Sequence, residues 1–238
     1  MLSVEGLSAW YGAAQILDGL SFEVGRGEVV ALMGRNGAGK STTMKAVMGL
    51  IAQRSGTVRF NGEDIARLKP FEIARRGLGF TPEDRRIFSD LTVLENLDIG
   101  RQPPRRFADG SEAPLWTPER LFTLFPNLGE MPDRPGGRMS GGEQQMLTVA
   151  RTLMGNPLLV LLDEPSEGVA PLIVEQMANT IVELKQQGLS ILISEQNIHF
   201  AQLVSDRVYV LEKGQIQWQG TMADLAGNLQ VQRTYLTV

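Results

Sequence analysis

Short apolar runs rich in β-branched residues alternate along this chain with segments whose apolar residues recur every three or four positions, the pattern of strands interleaved with helices. Residues 2–10 and 15–24 read as strands, and the turn Gly25-Arg26-Gly27 leads into the apolar run Glu28-Val29-Val30-Ala31-Leu32-Met33. That run stops at Gly34, and residues 39–49 then have helical spacing. Thr57–Phe60 followed by Asn61-Gly62 predicts a strand and a turn, and Leu78–Thr81 predicts another strand, ended by Pro82.

The texture then changes. From about 84 to 156 strand signals fade, and apolar spacing predicts helices over 91–99, 117–125 and 142–154. Between them, residues 102–110 hold two prolines and a glycine and read as an exposed loop, with Arg101, Arg105 and Arg106 solvated. Strands return at 158–163 and 190–194 around a helix at about 172–187, and 207–211 with 215–219 reads as a hairpin before a short helix. The prediction is an α/β fold in two lobes. Residues 1–83 and 157–238 form the core, and 84–156 an inserted helical subdomain.

Composition narrows the class. With 238 residues, 42% of them hydrophobic, the chain can build one sizeable core. A formal net charge of −4 argues against nucleic acid as a partner. No apolar run approaches the roughly 18–20 residues that cross a bilayer. The N-terminus lacks a charged region followed by an apolar stretch, and cysteine is absent, so a cytoplasmic protein is expected. Any membrane contact then comes through a partner.

Gly34-Arg35-Asn36-Gly37-Ala38-Gly39-Lys40-Ser41, with Thr42 behind it, lies between a strand and a helix, the context in which a glycine-rich loop cradles phosphate. The glycines let backbone N–H groups converge on phosphate oxygens, Lys40 can reach the β- and γ-phosphates, and the Ser41 hydroxyl can ligate Mg²⁺. Asp163 and Glu164 end a buried apolar strand, where carboxylates are costly unless used. An aspartate there suits the Mg²⁺ shell, and the glutamate can polarise an attacking water. Ser140-Gly141-Gly142-Glu143 is a capping box, and its glycines leave free N–H groups at a positive helix end, an anion site.

A P-loop followed by Met139-Ser140-Gly141-Gly142-Glu143-Gln144-Gln145 and then Asp163-Glu164 resembles the ATP-binding subunits of ABC transporters, over nearly the whole chain. The resemblance implies a P-loop NTPase (RecA-like) core with an antiparallel β subdomain, and the ligands ATP and Mg²⁺. It makes Asp163 the Walker B aspartate, Glu164 the general base, and Ser140, Gly141, Gly142 and Gln144 a signature facing the γ-phosphate on an opposite subunit. Tyr11 stands where an aromatic ring stacks on adenine, and Trp10 reads as packing. A P-loop kinase would give no reason for the signature, and a non-transport ABC ATPase usually needs a larger insertion or a second cassette.

Three positions depart from the common pattern: Glu83 replaces the glutamine that touches Mg²⁺, Ala170 replaces an aspartate, and Gln196 replaces the switch histidine. His199, the sole histidine, lies three residues too far along and reads as surface or core. Pro82–Phe88, Asp163–Pro171 and Glu195-Gln196-Asn197 are similar to LivF-type ATPases of branched-chain amino-acid importers, and less closely to urea/amide subunits. That implies pairing with a LivG-like second ATPase or a homodimer, docked on two transmembrane permease subunits at the cytoplasmic face and served indirectly by a substrate-binding protein. Arg85, Arg86 and Phe88 are candidate permease contacts. Glutamine does not titrate near neutrality as histidine does, so the site using this P-loop is expected to hydrolyse more slowly than its sister.

Overall fold

The computed structural model describes residues 1–236 as two sheets, the helices around them and a helical lobe. The chain opens with strands β1 (Leu2–Tyr11), β2 (Ala14–Val24) and β3 (Val29–Met33), then enters helix α1 (Lys40–Val47). It continues through β4 (Gln53–Phe60), β5 (Glu63–Asp64), α2 (Pro70–Arg75) and β6 (Leu78–Thr81). The lobe follows as α3 (Val93–Gly100), α4 (Pro118–Leu124), α5 (Pro126–Gly129) and α6 (Gly141–Leu153). The chain then returns through β7 (Leu159–Asp163), α7 (Pro171–Gln186), β8 (Ser190–Glu195), α8 (Ile198–Val204), β9 (Arg207–Glu212), β10 (Gln215–Thr221) and α9 (Met222–Gly227).

One sheet is antiparallel in the order β2-β1-β4-β5, and the other runs β10-β9-β3-β8-β7-β6. In the second, β9, β3, β8, β7 and β6 are parallel, and only β10 returns antiparallel, as a hairpin partner. Its central strands β3, β7 and β8 are buried at every position because both faces are covered, and all but their polar ends are apolar. Val30, Leu32, Leu159, Leu161 and Leu192 enter the core shared with the antiparallel sheet and α1. Their neighbours Ala31, Met33, Val160, Leu162, Ile191 and Ile193 enter the core shared with α6, α7 and α8. Where β2 is covered on one side only, the pattern alternates: Leu20, Phe22 and Val24 are buried, Ser21 and Glu23 exposed.

Two local expectations change, and one helix appears that was not expected. β4 begins at Gln53 rather than Thr57, because residues without an apolar pattern are recruited by pairing, Gln53 with Trp10 and Arg54 with Ala9. Helix α2 is too short to show periodicity, and is started by Pro70 with Glu72 accepting from the Lys69 N–H at 2.8 Å. The loop over 102–110 is not wholly solvated. Phe107 is buried under the Arg26 guanidinium, 3.6 Å from its ring centre, and Arg105 donates to the carbonyls of Arg75 and Ala74.

The β9–β10 turn, Lys213-Gly214, matters for position. Its residues have φ of +49° and +75°, the geometry of a tight hairpin. Gly214 donates to the Ala38 carbonyl at 3.0 Å and accepts from the Asp18 N–H at 2.9 Å. A Cβ on Gly214 would lie 2.0 Å from the Ile16 carbonyl oxygen, so only glycine lets this hairpin buttress the loop between β3 and α1.

Candidate active site

That loop, residues 34–39, turns sharply out of a buried strand into a helix. Gly34, at φ +155°, has no room for a side chain: a Cβ would sit 2.4 Å from the Leu211 carbonyl oxygen. Ala38 donates to the Arg35 carbonyl at 3.1 Å, closing the loop, and the Thr43 hydroxyl donates to the Gly39 carbonyl at 2.9 Å. Lys40 is only 4% exposed. Its Nζ curls back to the Gly34 carbonyl at 2.9 Å and lies 3.1 Å from Glu164 Oε1, so the lysine and the carboxylate at the end of β7 form a buried ion pair. Such a pair is tolerated in low dielectric only with further hydrogen bonds, and both members have them.

The adjacent strand ends bring the rest together. β7 and β8 are parallel neighbours, with Asp163 beside Ser194. Asp163 Oδ1 accepts from Ser194 Oγ at 2.6 Å and from Ser41 Oγ at 2.9 Å. Burial pushes the Asp163 carboxyl up, against the lowering effect of those two hydroxyls. A buried carboxylate and a hydroxyl oxygen converging at the helix end of the phosphate loop are hard oxygen donors, a set that fits Mg²⁺. Glu83 is exposed, and among the described residues no hydrogen bond joins it to Ser41 or Asp163; its charge acts instead on Glu167.

Glu164 has a left-handed backbone, φ +47°, held by its N–H donating to the Ser194 carbonyl and hydroxyl at 3.1 and 3.0 Å. Burial alone would raise its carboxyl. The hydrogen bond with Glu167, the Lys40 charge and the Gln196 amide outweigh this and hold it low. Gln196 Nε2 donates to Glu164 Oε2 at 2.9 Å and to Asn36 Oδ1 at 2.6 Å. Glu167 takes the other side of the shared hydrogen bond and is pushed up to about 7, by that bond, by burial, and by repulsion from Glu164, Glu83 and Glu195.

This has a measurable consequence. Unfolding would return Glu167 to about its ordinary 4.5, so the folded state holds a proton that the unfolded state has lost between 4.5 and about 7. The contribution is full below that window and is lost as pH rises through it. Thermal midpoints followed from pH 5 to 8 are expected to fall less steeply for Glu167→Gln than for the parent. Equal slopes would refute the shared proton.

Two contributors were not singled out from sequence. Ser194 holds the Asp163 carboxylate and the Glu164 backbone N–H, and Glu195, only 2% exposed, accepts from the N–H groups of Ser166, Gln196 and Asn197 at 3.2 to 3.3 Å. Burial pushes its carboxyl up. The readable signal was a polar pair closing an otherwise apolar strand.

On the helical lobe, Ser140 caps α6 reciprocally with Glu143: Ser140 N–H donates to Glu143 Oε2 at 2.7 Å, and Glu143 N–H to Ser140 Oγ at 3.3 Å. Gly142 packs so closely on α7 that a Cβ would meet Ile173 Cγ1 at 2.6 Å. Gln144 does not stand free for a ligand, because its amide donates to the carbonyls of Gly136 and Met139 at 3.1 and 3.3 Å and ties down the segment before α6. Arg85 and its neighbour face different surroundings. Arg85 and Arg86 are both left-handed, at φ +61° and +48°, so their side chains diverge. Arg85 lies against Gly141 and donates to the Gly168 carbonyl at 3.4 Å, whereas Arg86 is exposed and paired with Asp84 at 2.7 Å. Phe88 is 47% exposed, and Tyr11, at the turn into β2, is 50% exposed. His199 is exposed on α8, outside these contacts.

The family described as "ABC transporter" matches residues 17–167, which hold the phosphate loop, the α6 signature and the β7 carboxylates. The chain is 42% identical, over 99% of both chains, to the high-affinity branched-chain amino acid transport ATP-binding protein BraG of Pseudomonas aeruginosa. It is 36% identical to the lipopolysaccharide export system ATP-binding protein LptB of Haemophilus influenzae, over 99% of this chain and 97% of that one. Among solved structures, a nucleotide-free ATP-binding cassette from an ABC transporter superposes with a TM-score of 0.80 at 30% identity, covering 97% of this chain and 96% of the other.

Proposed function

The chain belongs to the ABC transporter family as an ATP-binding subunit with ATPase activity coupled to transport, and from that premise we propose that it drives an importer for branched-chain amino acids. The observation that carries the ATPase assignment is the buried convergence of Lys40, Asp163, Glu164 and Ser41 at the mouth of the glycine-rich loop. The substrate class rests on the likeness to BraG. A lipopolysaccharide exporter is the second reading, favoured by the likeness to LptB.

In this reading the backbone N–H groups of residues 34–41 and the Lys40 ammonium bind the phosphates of ATP, and the exposed Tyr11 ring stacks on the base. Ser41 and Asp163 would hold Mg²⁺, which supplies charge neutralisation at the β- and γ-phosphates. Glu164, kept ionised by its neighbours, orients the water that attacks the γ-phosphorus and accepts its developing proton, while ADP departs. The N-terminus of α6, with Ser140, Gly141 and Gly142, completes the site of a second cassette across an interface, either a LivG-like ATPase or another copy of this chain.

Coupling to the membrane needs a docking surface. No helix of the described residues is long and apolar enough to cross a bilayer. A groove of about 550 Å³ between the core and the lobe is lined by Leu50, Phe71, Phe88 and Ile99, with Arg86 and Arg151 beside them. We assign this groove to docking on a transmembrane permease subunit; the chain would then sit peripherally at the membrane, with the cytoplasmic face as the side this reading expects. Phe88→Asp is expected to abolish ATP-driven leucine uptake by the reconstituted transporter, assayed with its substrate-binding protein, while ATP binding to the purified chain stays unchanged. Uptake at the parental rate would remove Phe88 from docking. An assembly that moves lipopolysaccharide but not leucine would select the second reading.

A further inference from the structure

Gln196 stands where the resemblance expects a histidine, and its surroundings show what glutamine provides there. One nitrogen, Nε2, lies 2.6 Å from Asn36 Oδ1 and 2.9 Å from Glu164 Oε2. An ionised carboxylate only accepts, so an N–H of the amide must face Glu164, and the second N–H of the same nitrogen is then available to Asn36. An imidazole cannot copy this arrangement. Each of its nitrogens carries at most one hydrogen, directed outward in the ring plane, so one nitrogen serves one acceptor.

The bridge spans the fold. Asn36 lies in the phosphate loop between Arg35 and Gly37, Gln196 follows β8, and Glu164 ends β7. The two Glu164 oxygens have separate anchors, Oε1 on Lys40 at 3.1 Å and Oε2 on Gln196. Lys40 is also the side chain the loop offers to phosphate, so Glu164 cannot depend on it alone when nucleotide is bound.

We propose that Asn36 and Gln196 act as one positioning unit for Glu164, in which Asn36 fixes the amide and the amide fixes the carboxylate. Asn36 then has a different task from Gly34, Gly37 and Gly39, whose backbone shapes the phosphate cradle. The unit reverses the expectation drawn from the missing histidine: this site is built around glutamine, and histidine would break the bridge rather than restore it.

The test is steady-state ATPase kinetics in whichever assembly gives the parental chain its activity, alone or with a second cassette, with Glu164→Gln defining the background. Asn36→Ala and Gln196→Ala are each expected to lower kcat about tenfold, with the double variant no worse than either, because residues of one hydrogen-bond network are not additive. The KM for ATP should hold within about twofold, since backbone groups and Lys40 still bind the phosphates. Gln196→His should fall below the parent. Gln196→Glu, nearly the same size but without the bridging donor, repeats the test without opening a cavity and should also lose kcat; melting curves confirm that each variant is folded. Additive losses, a raised KM at unchanged kcat for Asn36→Ala, or a parental kcat in Gln196→His or Gln196→Glu would overturn the unit. Activity that does not depend on Glu164 at all would instead count against the ATPase mechanism.

Discussion

Replacing Glu164 by glutamine is expected to lower ATP turnover by about 10²- to 10⁴-fold, the range for loss of a positioned general base. The new amide's single oxygen can accept from Gln196 or from Lys40, not from both as the carboxylate does, but the substitution keeps the shape and leaves the P-loop untouched. ATP affinity, measured by calorimetry, should therefore persist while kcat collapses. The Glu164 backbone angle of +47° is held by bonds from its own N–H to Ser194, which do not depend on the side chain, so the fold should survive. Turnover near the parental rate would mean that another group activates the water, and the arrangement around Glu164 would have lost its explanation.

The second large effect is on stability. Lys40→Met removes the cation from a pair whose side chains are 3% and 8% exposed, leaving the Glu164 carboxylate buried without its ammonium. Breaking a buried pair from one side costs about 3–5 kcal/mol. For a chain of this length that corresponds to a fall in melting temperature of roughly 10 °C. Adding Glu164→Gln removes the stranded charge and should recover much of the loss, although nucleotide binding stays impaired because Lys40 is still missing. Unfolding curves of the two variants decide it. If Lys40→Met melts with the parent, or the double variant melts lower than the single, the pair is not the buried element described here.

The parts of the site that were legible in the sequence are those whose chemistry demands contiguous residues. The phosphate loop must be glycine-rich between a strand and a helix, and the α6 start shows its capping box within four residues. Asp163 and Glu164 stood out because five apolar residues precede two acids. The continuous apolar runs of β3, β7 and β8 announced strands buried on both faces, but not the order β10-β9-β3-β8-β7-β6, which depends on crossovers that periodicity does not record.

What escaped reading was long-range pairing. The Asn36–Gln196 bond joins residues 160 apart, and neither residue type signals it. Ser194 looked like the polar end of a strand until its register beside Asp163 was known. Gln144 belongs to a motif yet turns back to carbonyls of the preceding turn, and Arg85 lies against Gly141 and donates to the Gly168 carbonyl, a contact between segments 83 residues apart. Strand β4 was read too short and helix α2 was not read at all for a similar reason, being formed by tertiary pairing and a proline start rather than by their own apolar pattern.

We propose that ATP is hydrolysed between two cassettes, with Lys40 and Glu164 on one side and the α6 signature on the other. The decisive experiment is the specific ATPase activity of the purified chain, measured across a wide dilution range with and without a LivG-like cassette. A rate per molecule that falls on dilution, rises when the second cassette is added and disappears with Glu164→Gln is the predicted result. A full rate that is independent of concentration and of any second cassette would contradict it.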